Sequence, residues 1–177
     1  MLFRSQRLDK LIGQLLTLSR VESTADEDHR TSVDLTTLVQ EVASDADFEA
    51  RARRCRVDVT ATPGCVTIGN EEVLRSALEN LLRNAVRYTA EDTGVEVSLL
   101  REGARAVIRV QDHGPGVPAD MLRSIFVPFQ KGENSTEGSG LGLAIAERAV
   151  VAHSGSIRAS NAEGGGLVVD VDLPLVS

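Results

Sequence analysis

Apolar residues recur along this chain in two rhythms, one of three and four and one of two, and the switches between them mark out its elements. Leu8, Leu11, Ile12, Leu15, Leu16 and Leu18 recur at helical spacing between Arg4, Arg7, Asp9, Lys10 and Arg20, which draws an apolar stripe along an amphipathic helix. Leu8, Leu11, Leu15 and Leu18 alternate by three and four, a heptad rhythm suited to a helical partner. A first helix packed on an ordinary core would carry the same stripe. The stretch from Glu22 to Thr31 is polar and without an apolar anchor, so it reads as a linker between this helix and the rest of the chain.

From Ser32 the pattern becomes a mixed one. Val33 and Leu35 mark a short strand, and Leu38, Val39, Val42, Ala43 and Ala46 share one face of a helix that Asp34 can cap and that ends in the basic cluster Arg51 to Arg56. Val57, Val59 and Ala61 alternate as a strand, Pro63-Gly64 turns the chain, and Val66 and Ile68 begin a second strand, so the simplest expectation is a hairpin. Asn70 caps the most hydrophobic helix of the chain, with Val73, Leu74, Ala77, Leu78, Leu81, Leu82 and Ala85 on its apolar side. Val95 to Leu99 and Ala106 to Val110 alternate about a Gly103 turn; Leu141 to Val151 is a further apolar helix; Ile157 to Ala159 and Leu167 to Leu173 are closing strands. This order predicts an α+β fold, a two-layer α/β sandwich with helices on one face of a mixed sheet, preceded by one amphipathic helix. It lacks the regular βαβ repeat of a doubly wound nucleotide fold. The expected division is a helix over 1–23, a linker over 24–31 and a domain over 32–177.

Composition narrows the partners more than the fold. The 177 residues are 42% hydrophobic and 25% charged, with 19 Lys plus Arg against 26 Asp plus Glu for a net charge of -7. That is the composition of an ordinary soluble globular domain. No run approaches the roughly 18 consecutive apolar residues of a membrane span, and Met1 to Lys10 is a charged amphipathic stretch unlike a signal peptide. The acidic balance argues against a general nucleic-acid partner, so any anionic ligand must be held by a local site. Cys55 and Cys65 lack metal-ligand spacing and suggest neither a zinc site nor a disulfide framework, which fits a reducing compartment.

Several polar residues exceed what packing requires. Asn80 and Asn84 stand one turn apart inside the apolar helix, with Arg83 and Arg87 close by, although Asn is a mediocre helix former. They are either solvated amides or oxygen ligands facing a cleft, where they could hold a magnesium ion that keeps several waters. Asp112-His113-Gly114-Pro115-Gly116 places a carboxylate at a strand end beside glycines that a flat ligand can approach closely. Gly138-Ser139-Gly140-Leu141-Gly142-Leu143 opens a helix with exposed N–H groups, suited to a phosphate. Each motif alone also fits a tight turn. Between them, Phe126-Val127-Pro128-Phe129 and the polar run Gln130 to Glu137 read as an anchored hinge and a flap, and the phenylalanines equally as core.

Taken together, Asn80-Leu81-Leu82-Arg83-Asn84-Ala85 with Arg87-Tyr88, Asp112-x-Gly114-x-Gly116, Phe126-x-Pro128-Phe129 and Gly138-x-Gly140-Leu141-Gly142-Leu143 resemble, in order and spacing, the N, G1, F and G2 boxes of sensor histidine kinases. The resemblance spans residues 32 to 175, including Gly164-Gly165-Gly166 and Leu173-Pro174. Asp47-Phe48-Glu49-Ala50 and Ser76-Ala77-Leu78-Glu79-Asn80 look closest to the envelope-stress members. Arg7-Leu8-Asp9-Lys10-Leu11-Ile12 through Leu18-Ser19-Arg20 is similar to the second helix of their dimerisation and phosphotransfer hairpin.

That resemblance implies a Bergerat-type ATP fold with a flexible lid. It implies that Asp112 accepts the adenine amino group, that Gly114 and Gly116 let the base lie against backbone, and that Asn84 ligates Mg2+ with Asn80 near the phosphates or a metal-bound water. Arg87 would offset phosphate charge and Tyr88 would pack by the base or ribose. Gly138, Gly140, Leu141 and Gly142 would form the lid hinge and phosphate-facing amides, Lys131 a second phosphate contact, and Phe126 and Phe129 the lid anchors. Hydrolysing relatives, gyrase and the heat-shock chaperones, carry a water-activating Glu where this chain has Asn80, and an amide cannot be a general base. Glu79 lies about 100° further round the helix. The expected activity is therefore transfer of the ATP γ-phosphate to a histidine on a hairpin domain, for onward signalling to a response regulator. A serine kinase that acts as an anti-sigma switch is the alternative. His29, His113 and His153 all lack the family's phosphoacceptor context, so this chain should not autophosphorylate by itself. A homodimer through residues 5–21 and the cytoplasmic end of a bacterial inner-membrane protein complete the expectation.

Overall fold

The computed structural model describes residues 12, 13, 15, 16, 19, 30–130 and 140–176. Strand β1 (Thr31–Asp34) ends on Asp34, whose carboxylate accepts the N–H groups of Thr36 at 2.9 Å and Thr37 at 3.4 Å and so starts helix α1 (Leu35–Arg51). Leu35, expected with Val33 in a strand, is instead the first helical residue, and Thr31, expected in the linker, already belongs to β1. Helix α1 buries Leu38, Val39, Val42 and Ala43. Its basic end is absorbed locally: Arg51 pairs with Asp47 at 2.8 Å, Arg54 with Glu91 at 2.7 Å and Arg56 with Asp58 at 2.7 Å.

Strands β2 (Arg56–Ala61) and β3 (Val66–Gly69) flank the Pro63-Gly64 turn, yet they do not form the expected hairpin. Strand β3 runs antiparallel to β1 in a separate two-stranded sheet, while β2 runs parallel to β4 (Gly94–Glu102). The first turn of α1 occupies the connection. The Leu35 N–H donates to the Cys65 carbonyl at 2.8 Å, and the Thr36 hydroxyl donates to the Thr62 carbonyl at 2.9 Å. Those bonds take the polar groups a tight hairpin would have used and swing β3 away.

The remaining elements keep the expected order. Asn70 accepts the Val73 N–H at 3.1 Å and caps helix α2 (Glu71–Tyr88). Strands β4 and β5 (Arg105–Gln111) form the hairpin about Gly103. Helix α3 (Gly142–Ala152) leads into β6 (Ser156–Asn161) and β7 (Leu167–Pro174). The main sheet runs β2-β4-β5-β7-β6. Its inner face buries Val95, Val97, Leu99, Ala106, Ile108, Val110, Val171 and Leu173 against Leu38, Val42, Leu74, Leu78, Leu81 and Val150 of the helices. The opposite face carries Arg109 paired with Asp170 at 2.7 Å, with Arg105 paired to Asp172 beside it. This is the two-layer sandwich that the pattern predicts. No described helix is long and apolar enough to cross a membrane.

Near the chain start, Ile12, Gly13, Leu15, Leu16 and Ser19 are helical, with Ile12 and Leu15 47% and Leu16 58% exposed. Leu8, Leu11 and Leu18 lie outside the described residues.

One buried residue ties the two site helices together at their far ends. His153, just past α3, accepts the Asn70 N–H on Nε2 at 3.0 Å and bonds the Ala149 carbonyl through Nδ1 at 2.6 Å. Acceptance on Nε2 requires the neutral ring. Burial above all, helped by the Arg30 guanidinium and opposed by the Ala149 carbonyl, holds its pKa below the usual 6.5. The unfolded chain therefore binds the proton first, and stability contributed by neutral His153 is complete above pH 6.5 and lost as pH falls below it. Urea unfolding between pH 8 and 5 should lose up to about 1.4 kcal/mol per pH unit below 6.5 from this group, and His153→Gln should flatten that part of the profile.

Candidate nucleotide site

Helix α2 meets a glycine of another segment at two points, Gly142 at Asn80 in mid-helix and Gly114 at Tyr88 at its C-terminus. Asn80 is buried, and its Nδ2 donates to the Ser76 carbonyl at 2.8 Å. Only the amide nitrogen can face that carbonyl, so Oδ1 points the other way, toward the first turn of α3. A Cβ on Gly142 would lie 3.1 Å from it. Asn84, one turn on, is half-buried and takes no hydrogen bond among the described residues, leaving its carboxamide oxygen available. Arg87 forms no ion pair among the described residues, and its guanidinium lies 5.3 Å from the centre of the Tyr88 ring. Arg53, from the end of α1, donates to the carbonyls of Val86 and, at 2.7 Å, Arg87, closing the C-terminus of α2.

The Tyr88 carbonyl meets the loop after β5. A Cβ on Gly114 would come within 2.2 Å of it, so only glycine permits this approach. Asp112, which opens the loop, is 3% exposed; its Oδ1 accepts the N–H groups of Gly114 at 2.9 Å and Leu167 at 3.1 Å. Oδ2 takes no hydrogen bond among the described residues, which leaves one carboxylate oxygen for a ligand donor. Burial pushes this carboxyl above its usual 3.8, with the two N–H groups acting against the rise. The positive-φ glycine triplet from the β6–β7 turn underlies the same loop. A Cβ on Gly166 would stand 1.9 Å from the Asp112 carbonyl oxygen.

Between β5 and α3, Phe129 and Gly140 meet in a narrow neck. Phe126 is buried and packs into the core. Phe129 differs from expectation: its ring is 60% exposed, and it holds the neck through its backbone, donating its N–H to the Gly140 carbonyl at 2.9 Å. Gly140 has φ +71 and would place a Cβ 2.8 Å from the Gln130 carbonyl. Leu141 is buried and precedes α3, which starts without a side-chain cap. Its first N–H groups suit an anion. Lys131 and Gly138 lie outside the described residues.

Residues 69–177 match the family described as Histidine kinase-, DNA gyrase B-, and HSP90-like ATPase. The chain belongs to this family. Within it, the sensor histidine kinase CpxA of Escherichia coli strain K12 is 37% identical over 176 residues, covering 97% of this chain and 38% of CpxA. This chain thus spans well under half the length of that curated relative. Among solved structures, the mycobacterial sensor histidine kinase MprB superposes with a TM-score of 0.75 at 29% identity, over 82% of this chain and 98% of its own. Full-length ShkA in complex with AMPPNP gives a TM-score of 0.82 at 29% identity, over 97% of this chain and 36% of its own. The family resemblance and the fold read from the sequence are both borne out.

Three contributors escaped the sequence reading. Thr89, buried after α2, donates its hydroxyl to the Gly94 carbonyl at 3.1 Å and accepts the His113 N–H at 3.1 Å. Arg53 and Asn161 act through backbone groups distant in sequence. Only a β-branched polar residue directly after Tyr88 offered a local hint. From these contacts, Gly166→Ala should lower unfolding stability by about 2–3 kcal/mol, whereas Gly164→Ala, where no atom lies within 4 Å, should cost only its positive-φ strain; denaturant titration checks both.

Proposed function

We propose that residues 32–177 are the ATP-binding catalytic domain of a bacterial two-component sensor histidine kinase. Residues 1–23 would be the second helix of its dimerisation and phosphotransfer hairpin, with 24–31 as linker. The observation that carries this reading is Asn80. The site has a carboxamide, its orientation fixed by the Ser76 carbonyl, at the position where a hydrolysing relative needs a carboxylate one turn before Asn84. Without a general base there, water is not activated, and the bound nucleotide is kept for an incoming histidine. Its imidazole nitrogen would form a bond to the γ-phosphorus as the bond from phosphorus to the bridging oxygen of ADP breaks.

The residues present fit the nucleotide and its ion. Asp112 Oδ2 is a free acceptor for the adenine amino group, and Gly114 and Gly116, by letting the loop close on the Tyr88 carbonyl and the Asn161 carboxamide, would set the backbone on which the base would lie. The uncapped start of α3 and the Arg87 guanidinium would offset phosphate charge. The Asn84 carboxamide oxygen would hold Mg2+, which would supply the charge that neutralises the triphosphate. Phosphate would pass to a response regulator, the stripe over residues 5–21 would pair with a second copy, and the domain would lie on the cytoplasmic side of a membrane protein. CpxA, MprB and ShkA lend the serine-kinase alternative no support.

Mixing the chain with labelled ATP, Mg2+ and a separately made His-bearing hairpin should yield acid-labile phosphohistidine on the hairpin and none on the chain itself. Acid-stable phosphoserine on an added partner would overturn the reading. In calorimetry, Asp112→Asn and Asn84→Ala should each weaken ADP-Mg2+ binding at least about tenfold, the scale of losing one charged or metal-mediated contact. Unchanged affinity in Asp112→Asn would remove Asp112 from the site.

A further inference from the structure

Asn161 is the last residue of β6, exposed to solvent and far from the four motifs in sequence. Its carboxamide nevertheless brackets the backbone of one residue, Val117, in the loop that Asp112 opens. Oδ1 accepts the Val117 N–H at 2.9 Å, and Nδ2 donates to the Val117 carbonyl at 2.7 Å. This pairing imitates one rung of a β-ladder, with a side chain in place of a strand. Gly116, at φ +72, makes room for it, since a Cβ there would stand 2.7 Å from the Asn161 Oδ1.

The opposite end of the same loop is gripped by the residue paired with Asn161 across the hairpin. Asn161 and Leu167 are register partners in β6 and β7. Leu167 donates its N–H to Asp112 Oδ1 at 3.1 Å and accepts the Asp112 N–H on its carbonyl at 3.0 Å. The mouth of the β6–β7 hairpin thus holds residues 112–117 at both ends, by backbone at Asp112 and by the Asn161 side chain at Val117.

We infer that Asn161 is a positioning residue for base recognition: it fixes Gly116–Val117 so that a purine lying on the loop meets the Asp112 carboxylate through its exocyclic amino group. This rests on the nucleotide-binding reading above. Without the bracket, Asp112 keeps its anchor at Leu167, but the floor under the base is free to tilt. Affinity for an adenine nucleotide then falls more than affinity for a hypoxanthine nucleotide, which has no amino group to lose. A general loss of folding would weaken both alike.

The test uses the full chain with Mg2+, measuring ADP and IDP by competition against a fluorescent ADP analogue, with thermal unfolding alongside. Asn161→Ala should weaken ADP about tenfold, equivalent to about 1.4 kcal/mol, and reduce the preference for ADP over IDP. Asn161→Asp, which sets an oxygen against the Val117 carbonyl, should do the same. Ser160→Ala, the exposed neighbour on β6, should leave the preference as it was. An ADP preference within twofold of the unaltered chain in Asn161→Ala or Asn161→Asp, or equal losses for both nucleotides, overturns the inference. Failure of the unaltered chain to bind ADP overturns the nucleotide reading and this inference with it.

Discussion

The site depends on backbone meeting backbone at distances that no side chain would allow. Gly114 lies against the Tyr88 carbonyl and Gly166 against the Asp112 carbonyl. Substituting any other residue at either position requires the neighbouring main chain to move, because the obstructing atoms are not at the end of a flexible side chain. The two contacts stack three layers in order: the end of α2, the loop after β5, and the turn between β6 and β7. The position of the Asp112 carboxylate relative to Asn84 is then a property of the sheet and α2 jointly.

Around that stack, polar groups are satisfied by partners from distant segments. Arg53 closes the end of α2 from α1, Thr89 joins α2 to the starts of β4 and of the loop, and Asp112 takes its N–H donors from its own loop and from β7. Such bonds contribute modestly to net stability, about 1 kcal/mol each, but leaving the buried partners unmade would cost more. Their larger effect is to hold the loop and the helix at one spacing.

Much of this was legible in the sequence where the determinant is local. Asp34 and Asn70 were readable as caps because capping is decided within three residues. The inner face of the main sheet was readable because burial imposes a period of two on Val95 to Leu99 and Ala106 to Val110. The motif residues on α2, the loop and α3 were readable as sequence motifs, and the fold brings Asn80 beside Gly142 and Tyr88 beside Gly114. The pairing of β2 and β3 was not, because alternation says which residues share a face and nothing about which strand lies alongside. The connection between them is held by the hydroxyl of Thr36 and the N–H of Leu35, groups that carry no periodic signal. Asn161 was hidden for the same reason: its bonds go to the backbone of Val117, and the identity of that residue is irrelevant to them.

The neck formed by Phe129 and Gly140 separates two problems that a protein of this kind has to solve at once. Chain that enters and leaves at one hydrogen-bonded point can change in length or composition without shifting α3, since each doubling of an enclosed loop adds only about 0.6 kcal/mol of closure entropy. The start of α3, beside Asn80, thus follows directly on a contact made outside the helix itself. Placing the helix start and choosing the side chains around it become separate matters, because the pairing of Phe129 with Gly140 is backbone to backbone.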